Sequence, residues 1–254
     1  MIIPAENLFL LPAGIVIAAI AMFTGLGGGV LWMPLLLTIM NVPPREAILC
    51  TLLIQFCGQL SASYNNHRQK LIDWQLVKML TMVGVPAVVI GAFFSSLLQP
   101  AWIKFFLGLT IFVIAYVFLR GDDFLEEGGK YIDIKAARQG KSITVMGAIL
   151  TGFIGIGVGD WLVPFLNKHC KLSMTLAVAN SIALMMALSG SALAVHLLLK
   201  TNIRWDICLP SITGVIVGAQ VGSWLLQRVP AVHFKEIFVL MLLFIATHVT
   251  FNAL

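Results

Sequence analysis

Charge is scarce in this 254-residue chain: Asp, Glu, Lys and Arg make up 11% of it, against 59% hydrophobic residues. Soluble domains carry about 25% charged and about 45–50% apolar residues. A mean hydropathy of +0.98 leaves more apolar side chain than a globular interior could hold. This scarcity excludes a soluble enzyme, a disordered chain and a nucleic-acid-binding domain, and the chain reads as an all-α polytopic membrane protein. Cysteine motifs are missing too. Cys50, Cys57, Cys170 and Cys208 show no CxxC spacing, which favours small buried hydrophobes over a metal or disulfide site. The histidines His67, His169, His233 and His248 are scattered, so neither metal nor cofactor is expected. No basic stretch precedes the first apolar run, MIIPAENLFLLPAG, which reads as a retained membrane segment rather than a signal peptide.

Carboxylates are almost absent from the apolar stretches, as are Lys and Arg well inside them. Carriers of cations usually place Asp or Glu near the bilayer midplane, so this absence argues against a cation as cargo. The net charge of +5 is read as loops held at the cytoplasmic face.

What the chain does have is apolar length. A spanning helix needs roughly 20 mostly apolar residues, and about eight segments approach this: 8–40 (interrupted), 46–66, 76–98, 101–119, 142–167 (interrupted), 172–199, 206–227 and 231–253. Trp74, Trp102 and Trp205 stand where segments begin, as headgroup-level aromatics do. The one substantial hydrophilic stretch, Arg120–Lys141, holds five acids and five bases and reads as a solvated cytoplasmic linker.

That linker divides two similar halves. At an offset of 130, Gly25, Gly27, Gly29 and Pro34 fall on Gly155, Gly157, Gly159 and Pro164, and Thr51 falls on Ser181. One residue further on, Ile72-x-Trp74 meets Ile203-x-Trp205. The expectation is a duplication: 1–119, a linker at 120–141, and 142–254, each half holding four segments, an architecture typical of secondary transporters.

The strongest signals are TGLGGGVLWMP (Thr24–Pro34) and IGIGVGDWLVP (Ile154–Pro164). Each glycine costs roughly 1 kcal/mol against alanine in a helix interior, so such tracts should unwind it. Unwound backbone is tolerated at membrane depth only inside protein or against water. Paired interruptions of this kind point to a transporter's central site. Close packing of small residues is the competing explanation, but it does not account for Gly27-Gly28-Gly29 or for a proline equally far beyond both tracts. A helix restarting after each tract, near Val30–Met40 and Trp161–Leu166, would present free amides and a partial positive charge to an anion.

The candidate anion-binding residues are therefore Gly25, Gly27, Gly28, Gly29, Gly155, Gly157 and Gly159, with hydroxyls and amides from the following segments: Thr51, Gln55, Asn180 and Ser181. Thr51, Gln55 and Gln59 share one helix face by their spacing of four. Asp160 reads either as the N-cap of a restarted helix or as a proton-coupling group, and His196 either as a structural histidine or as a relay.

At these residues the chain resembles the TauE/SafE family of sulfite exporters. The family's Gly-rich run followed by proline matches Gly25–Pro34 and Gly155–Pro164. Its Ala-x-x-Thr-Ser-like element matches Ala47–Thr51 and Ala177–Ser181, with Cys50-Thr51 departing from the pattern. Its basic joint before the third helix appears as Lys70-Leu71-Ile72-Asp73-Trp74. The resemblance implies a multi-pass permease of the cytoplasmic membrane for sulfite, sulfonates such as sulfoacetate, or thiosulfate. Its partners would be the small anion and membrane lipid, with no nucleic acid; self-association stays open. A subunit without cargo and an integral-membrane enzyme are the alternatives.

Two arrangements compete. If all eight segments span, one face gathers ten Lys and Arg against six on the other. If each Gly-broken segment is a re-entrant hairpin, the halves are inverted and the division is twelve against four. The positive-inside rule leans toward the second.

Overall fold

The computed structural model describes residues 4–120, 129, 134–157, 159–199, 201–226 and 228. The expected last segment, 231–253, and most of the hydrophilic stretch lie outside them. After a 3-10 turn at Ala5–Phe9 come α1 (Leu10–Thr24), α2 (Gly29–Pro34), α3 (Pro44–Arg68), α4 (Trp74–Leu97), α5 (Pro100–Arg120), α6 (Ile134–Ile154), α7 (Gly159–Lys168), α8 (Met174–Leu198) and α9 (Trp205–Leu225). Among the described residues, five helices are long and apolar enough to cross a membrane: Glu6–Thr24, α3, α4, α8 and α9.

Helix boundaries follow local chemistry. Pro44 opens α3, where a missing N–H costs nothing. Asp73 caps α4, its carboxylate accepting from the amides of Gln75 and Leu76 at 2.9 and 3.0 Å, the usual way to satisfy first-turn donors. Helix α1 stops where Gly25 turns to φ +74°, and α6 stops where Gly155 turns to φ +72°. Both are left-handed terminations that favour glycine. The two expected interruptions are thus real breaks, each four residues long, between Thr24 and Gly29 and between Ile154 and Gly159. Beyond Pro34, α2 continues as a π-helical stretch through Ile39. One boundary differs from the sequence reading. Helix α6 begins at Ile134 rather than near 142, because IKAARQGK contains good helix formers and its one glycine, Gly140, faces the ring of Phe165.

Packing uses glycine to bring backbones together. Along α1 and α9, Gly214, Gly218 and Gly222 face the carbonyls of Leu11, Ile15 and Ala19, leaving no room for a β-carbon. Gly91 meets the carbonyl of Ile149 and Gly152 that of Val88, joining α4 to α6 in the same manner. Hydrocarbon supplies no hydrophobic drive between helices, so close van der Waals contact of this kind carries the association.

The contacts fix direction. Numbers rise together along α1 and α9, and along α4 and α6 from Gly84 beside Thr144 to Gly91 beside Ile149, so each pair is parallel. Helices α3 and α9 are also parallel: Cys50 lies beside Cys208, Gly58 beside Val215, and Ser61 donates to the Ile216 carbonyl and receives Gln220. The same holds for α4 and α8, where Asn180 reaches the joint at Leu71–Asp73 and Leu188 meets Gly84. Helices α3 and α8 lie at the centre of these pairings and touch where Phe56 meets Gly190.

Candidate functional site

The two breaks meet. A β-carbon on Gly27 would lie 2.8 Å from the Gly157 Cα and 2.9 Å from its nitrogen. One on Gly29 would overlap the Gly155 carbonyl, and one on Gly159 would overlap the Gly25 carbonyl. Close approach therefore requires glycine at 27, 29, 157 and 159, while the left-handed φ requires it at 25 and 155. Gly28 meets neither demand: its φ is −54°, and the nearest atom to an added β-carbon is 3.6 Å away on Trp32.

Gln55 reaches from α3 into the crossing and bridges it. Its Oε1 accepts from the Gly29 amide at 3.2 Å, and its Nε2 donates to the Gly155 carbonyl at 3.1 Å. Gly29 offers only a donor and Gly155 only an acceptor, so one orientation of the side-chain amide satisfies both. The following amides of α2 are occupied within the turn: Val30 donates to the Gly27 carbonyl, and Leu31 and Trp32 donate to that of Gly28. The free donors expected at this helix start are thus already paired, by Gln55 and by the tight turn itself.

Unpaired groups surround the crossing instead. The Thr51 and Ser181 hydroxyls are fully buried and have no hydrogen-bond partner among the described residues, and neither has the Trp161 indole nitrogen. Thr51 places its methyl 3.7 Å from a β-carbon built on Gly155. Ser181 shares the face of α8 with Val178, which meets Gly25, and with Met185, whose sulfur packs on Gly157 and Gly159. Buried donors without partners cost about 1–3 kcal/mol each, so these sites suit a solute or water that supplies acceptors. Every one of these donors is neutral.

Two other residues singled out from the sequence lie elsewhere. Asn180 pins the joint between α3 and α4: its Oδ1 accepts from the Asp73 amide at 2.8 Å, and its Nδ2 donates to the carbonyls of Leu71 and Leu176. His196 Nε2 stands 2.8 Å from the Gly152 carbonyl, tying α8 to α6. The side chain of Asp160 lies outside the described residues. Sequence spacing placed Gln59 on the Gln55 face but did not mark Met185, which fills the position 130 residues after Gln55 with an apolar side chain. Among the described residues no group of three or more His, Cys, Asp or Glu is placed to hold a metal ion.

Comparison with known proteins gives a consistent picture. A family model described as "Sulfite exporter TauE/SafE" matches residues 10–249. A probable membrane transporter protein of Xylella fastidiosa (strain Temecula1) is 23% identical over 220 residues, covering 86% of this chain and 84% of its own. The probable membrane transporter protein YunE of Bacillus subtilis is 22% identical over 232 residues, covering 83% of this chain and 85% of its own. MamO of Magnetospirillum gryphiswaldense, also called a probable membrane transporter protein, is 26% identical over 216 residues but matches along only 34% of its own length. No solved structure matches the chain.

Proposed function

The chain belongs to the sulfite exporter TauE/SafE family, and from that premise we propose that this membrane transporter carries small sulfur-containing oxyanions, such as sulfite, sulfoacetate or thiosulfate, across the cytoplasmic membrane. The observation that carries the proposal is the crossing of two broken helices, ringed by the unpaired hydroxyls of Thr51 and Ser181 and bridged by Gln55. Unwound backbone enclosed by protein is what a transporter's central site requires. An oxyanion supplies acceptors and no donors when ionised, which complements the Thr51 and Ser181 hydroxyls and the Trp161 indole N–H. With Gln55 Oε1 on the Gly29 amide, the crossing is in a closed state; the anion takes the place of that oxygen when it binds.

The carrier is built of two inverted halves, 1–119 and 142–254, joined at the cytoplasmic face by the stretch 120–141, whose last residues, from Ile134, already belong to α6. The helix directions support this. A protein whose eight segments all crossed in turn would make α3 antiparallel to α9 and α4 antiparallel to α8. Both pairs are parallel, as inversion with re-entrant α1–α2 and α6–α7 hairpins demands. Gly29 lies level with Gln55, eleven residues into α3, or about 16 Å from its start at the helical rise. The stretch Gly29–Ile39 covers about that length, which returns the chain to the face from which α3 departs. Inversion also gathers twelve of the sixteen Lys and Arg on one face, the cytoplasmic one.

Export needs no titrating group, because a negative interior expels anions. Should protons be coupled, Asp160 and His196 are the groups to test. Purified protein in liposomes loaded with labelled sulfite should release it under an applied potential, and Thr51→Val with Ser181→Ala should slow that release. Flux equal to protein-free liposomes would overturn the reading and favour a subunit without cargo of its own.

A further inference from the structure

Helix α3 carries more polar side chains on the face of Gln55 than the crossing uses. Gln59, Ser63 and Asn66 follow it by successive turns, so that Gln55 and these three stack along one side of the helix over about 16 Å. All three are buried, at 0, 3 and 0% exposure. Both amide atoms of Gln59, both of Asn66 and the Ser63 hydroxyl lack a hydrogen-bond partner among the described residues. Buried polar atoms are normally paired by protein or by water. Five successive unpaired atoms on one helix face mark a place where water or a polar solute belongs.

The other half does not repeat this. At the offset of 130 the positions read Met185, Ser189, Leu193 and His196. Two are apolar, Ser189 keeps a single buried hydroxyl without a partner among the described residues, and His196 is engaged with the Gly152 carbonyl. The polar stripe therefore leads away from the crossing along α3 and has no equivalent along α8. It ends where α3 ends, beside exposed Arg68 and Lys70, cations that concentrate anions at a mouth.

We propose that Gln59, Ser63 and Asn66 line a half-channel by which a small oxyanion passes between the cytoplasmic face and the glycine crossing; the three are buried in this conformation, so the passage takes up water when the helices part, and α8 offers no comparable run of unpaired side-chain amides. The inference rests on the permease reading above and adds which side has access and which residues form the passage. The donors are neutral amides and a hydroxyl, which replace hydration of the anion without holding it as a lysine would.

The test is labelling of Ser63→Cys, Leu193→Cys and the outward-facing Leu60→Cys by the impermeant anionic reagent 2-sulfonatoethyl methanethiosulfonate. Right-side-out and inverted membrane vesicles present the two faces, and the unsubstituted protein with its own four cysteines sets the background. Ser63→Cys is nearly isosteric, so folding is preserved. The expected result is labelling of Ser63→Cys from the cytoplasmic face only, slowed by sulfoacetate, which unlike sulfite neither consumes the reagent nor cleaves the disulfide it forms, with Leu193→Cys and Leu60→Cys at background from both faces. In a parallel flux assay Gln59→Leu should slow sulfite movement about tenfold, the loss of one hydrogen bond to a charged group. Background labelling of Ser63→Cys from the cytoplasmic face, or equal labelling of Leu193→Cys, overturns the half-channel even if sulfite flux is intact. Sided, specific labelling of Ser63→Cys in a protein that moves no sulfite upholds the half-channel and overturns the cargo assignment instead.

Discussion

Gly27 and Gly157 face each other so closely that a β-carbon on the first would stand 2.8 Å from the Cα of the second. Two residues 130 positions apart thereby hold two broken helices in contact. Gly27→Ala should cost about 1–3 kcal/mol, as overpacking does, and lower the melting temperature in detergent. Gly28→Ala should change it little or raise it slightly, since position 28 has helical backbone angles and open space and losing glycine's unfolded freedom is worth about 0.4–1 kcal/mol. Equal melting temperatures for the two variants would contradict the crossing.

Gly25 and Gly155 are constrained by dihedral angle, Gly25 also by the Val163 and Val178 methyls 2.9 Å from an added β-carbon. Gly155 has room for a β-carbon, with nothing nearer than 3.7 Å, so only its φ of +72° resists substitution. Gly155→Asn, which tolerates this conformation, should retain more stability than Gly155→Val, whose branched side chain does not. Thermal unfolding of the two purified variants checks the order.

Gln55 is predicted to serve both structure and transport. Gln55→Leu removes the bridge between Gly29 and Gly155 and should cost about 1–3 kcal/mol for groups left unpaired. Gln55→Glu keeps the acceptor for the Gly29 amide but, when ionised, loses the donor to the Gly155 carbonyl and brings negative charge to the proposed anion site, so sulfite flux should fall below that of Gln55→Leu. Flux in Gln55→Glu equal to that of the unsubstituted protein would separate Gln55 from the site.

Asn180 and Ser181 are neighbours with different expected phenotypes. Asn180→Leu frees the Asp73 amide and the Leu71 carbonyl and should lower stability by about 1–3 kcal/mol while leaving the KM for sulfite unchanged. Ser181→Ala removes a hydroxyl without a partner among the described residues and should raise KM with little effect on stability. Concentration-dependent flux and thermal unfolding, measured on both variants, check the split.

The breaks were legible in the sequence because glycine runs have a local energetic consequence, and the structure ends α1 and α6 at the residues the tracts indicate. Gln55 was legible only as one member of a polar stripe; its double hydrogen bond depends on Gly155, 100 residues away. The pinning role of Asn180 was invisible for the same reason, its partner Asp73 lying 107 residues off. Helix directions were open as well, since helices that are apolar on most faces carry no periodic signal saying which neighbour they meet. The pairing of Gly214, Gly218 and Gly222 with α1 becomes readable only once both backbones are placed.

The central claim is that the crossing binds and passes an oxyanion, and labelled sulfite flux in proteoliposomes under imposed potentials of either sign tests it most directly. The predicted result is saturable flux whose direction reverses with the potential and which falls about tenfold or more in a monodisperse Thr51→Val/Ser181→Ala variant, as loss of hydrogen bonds to a charged solute requires. Flux in that folded variant equal to that of the unsubstituted protein would contradict it.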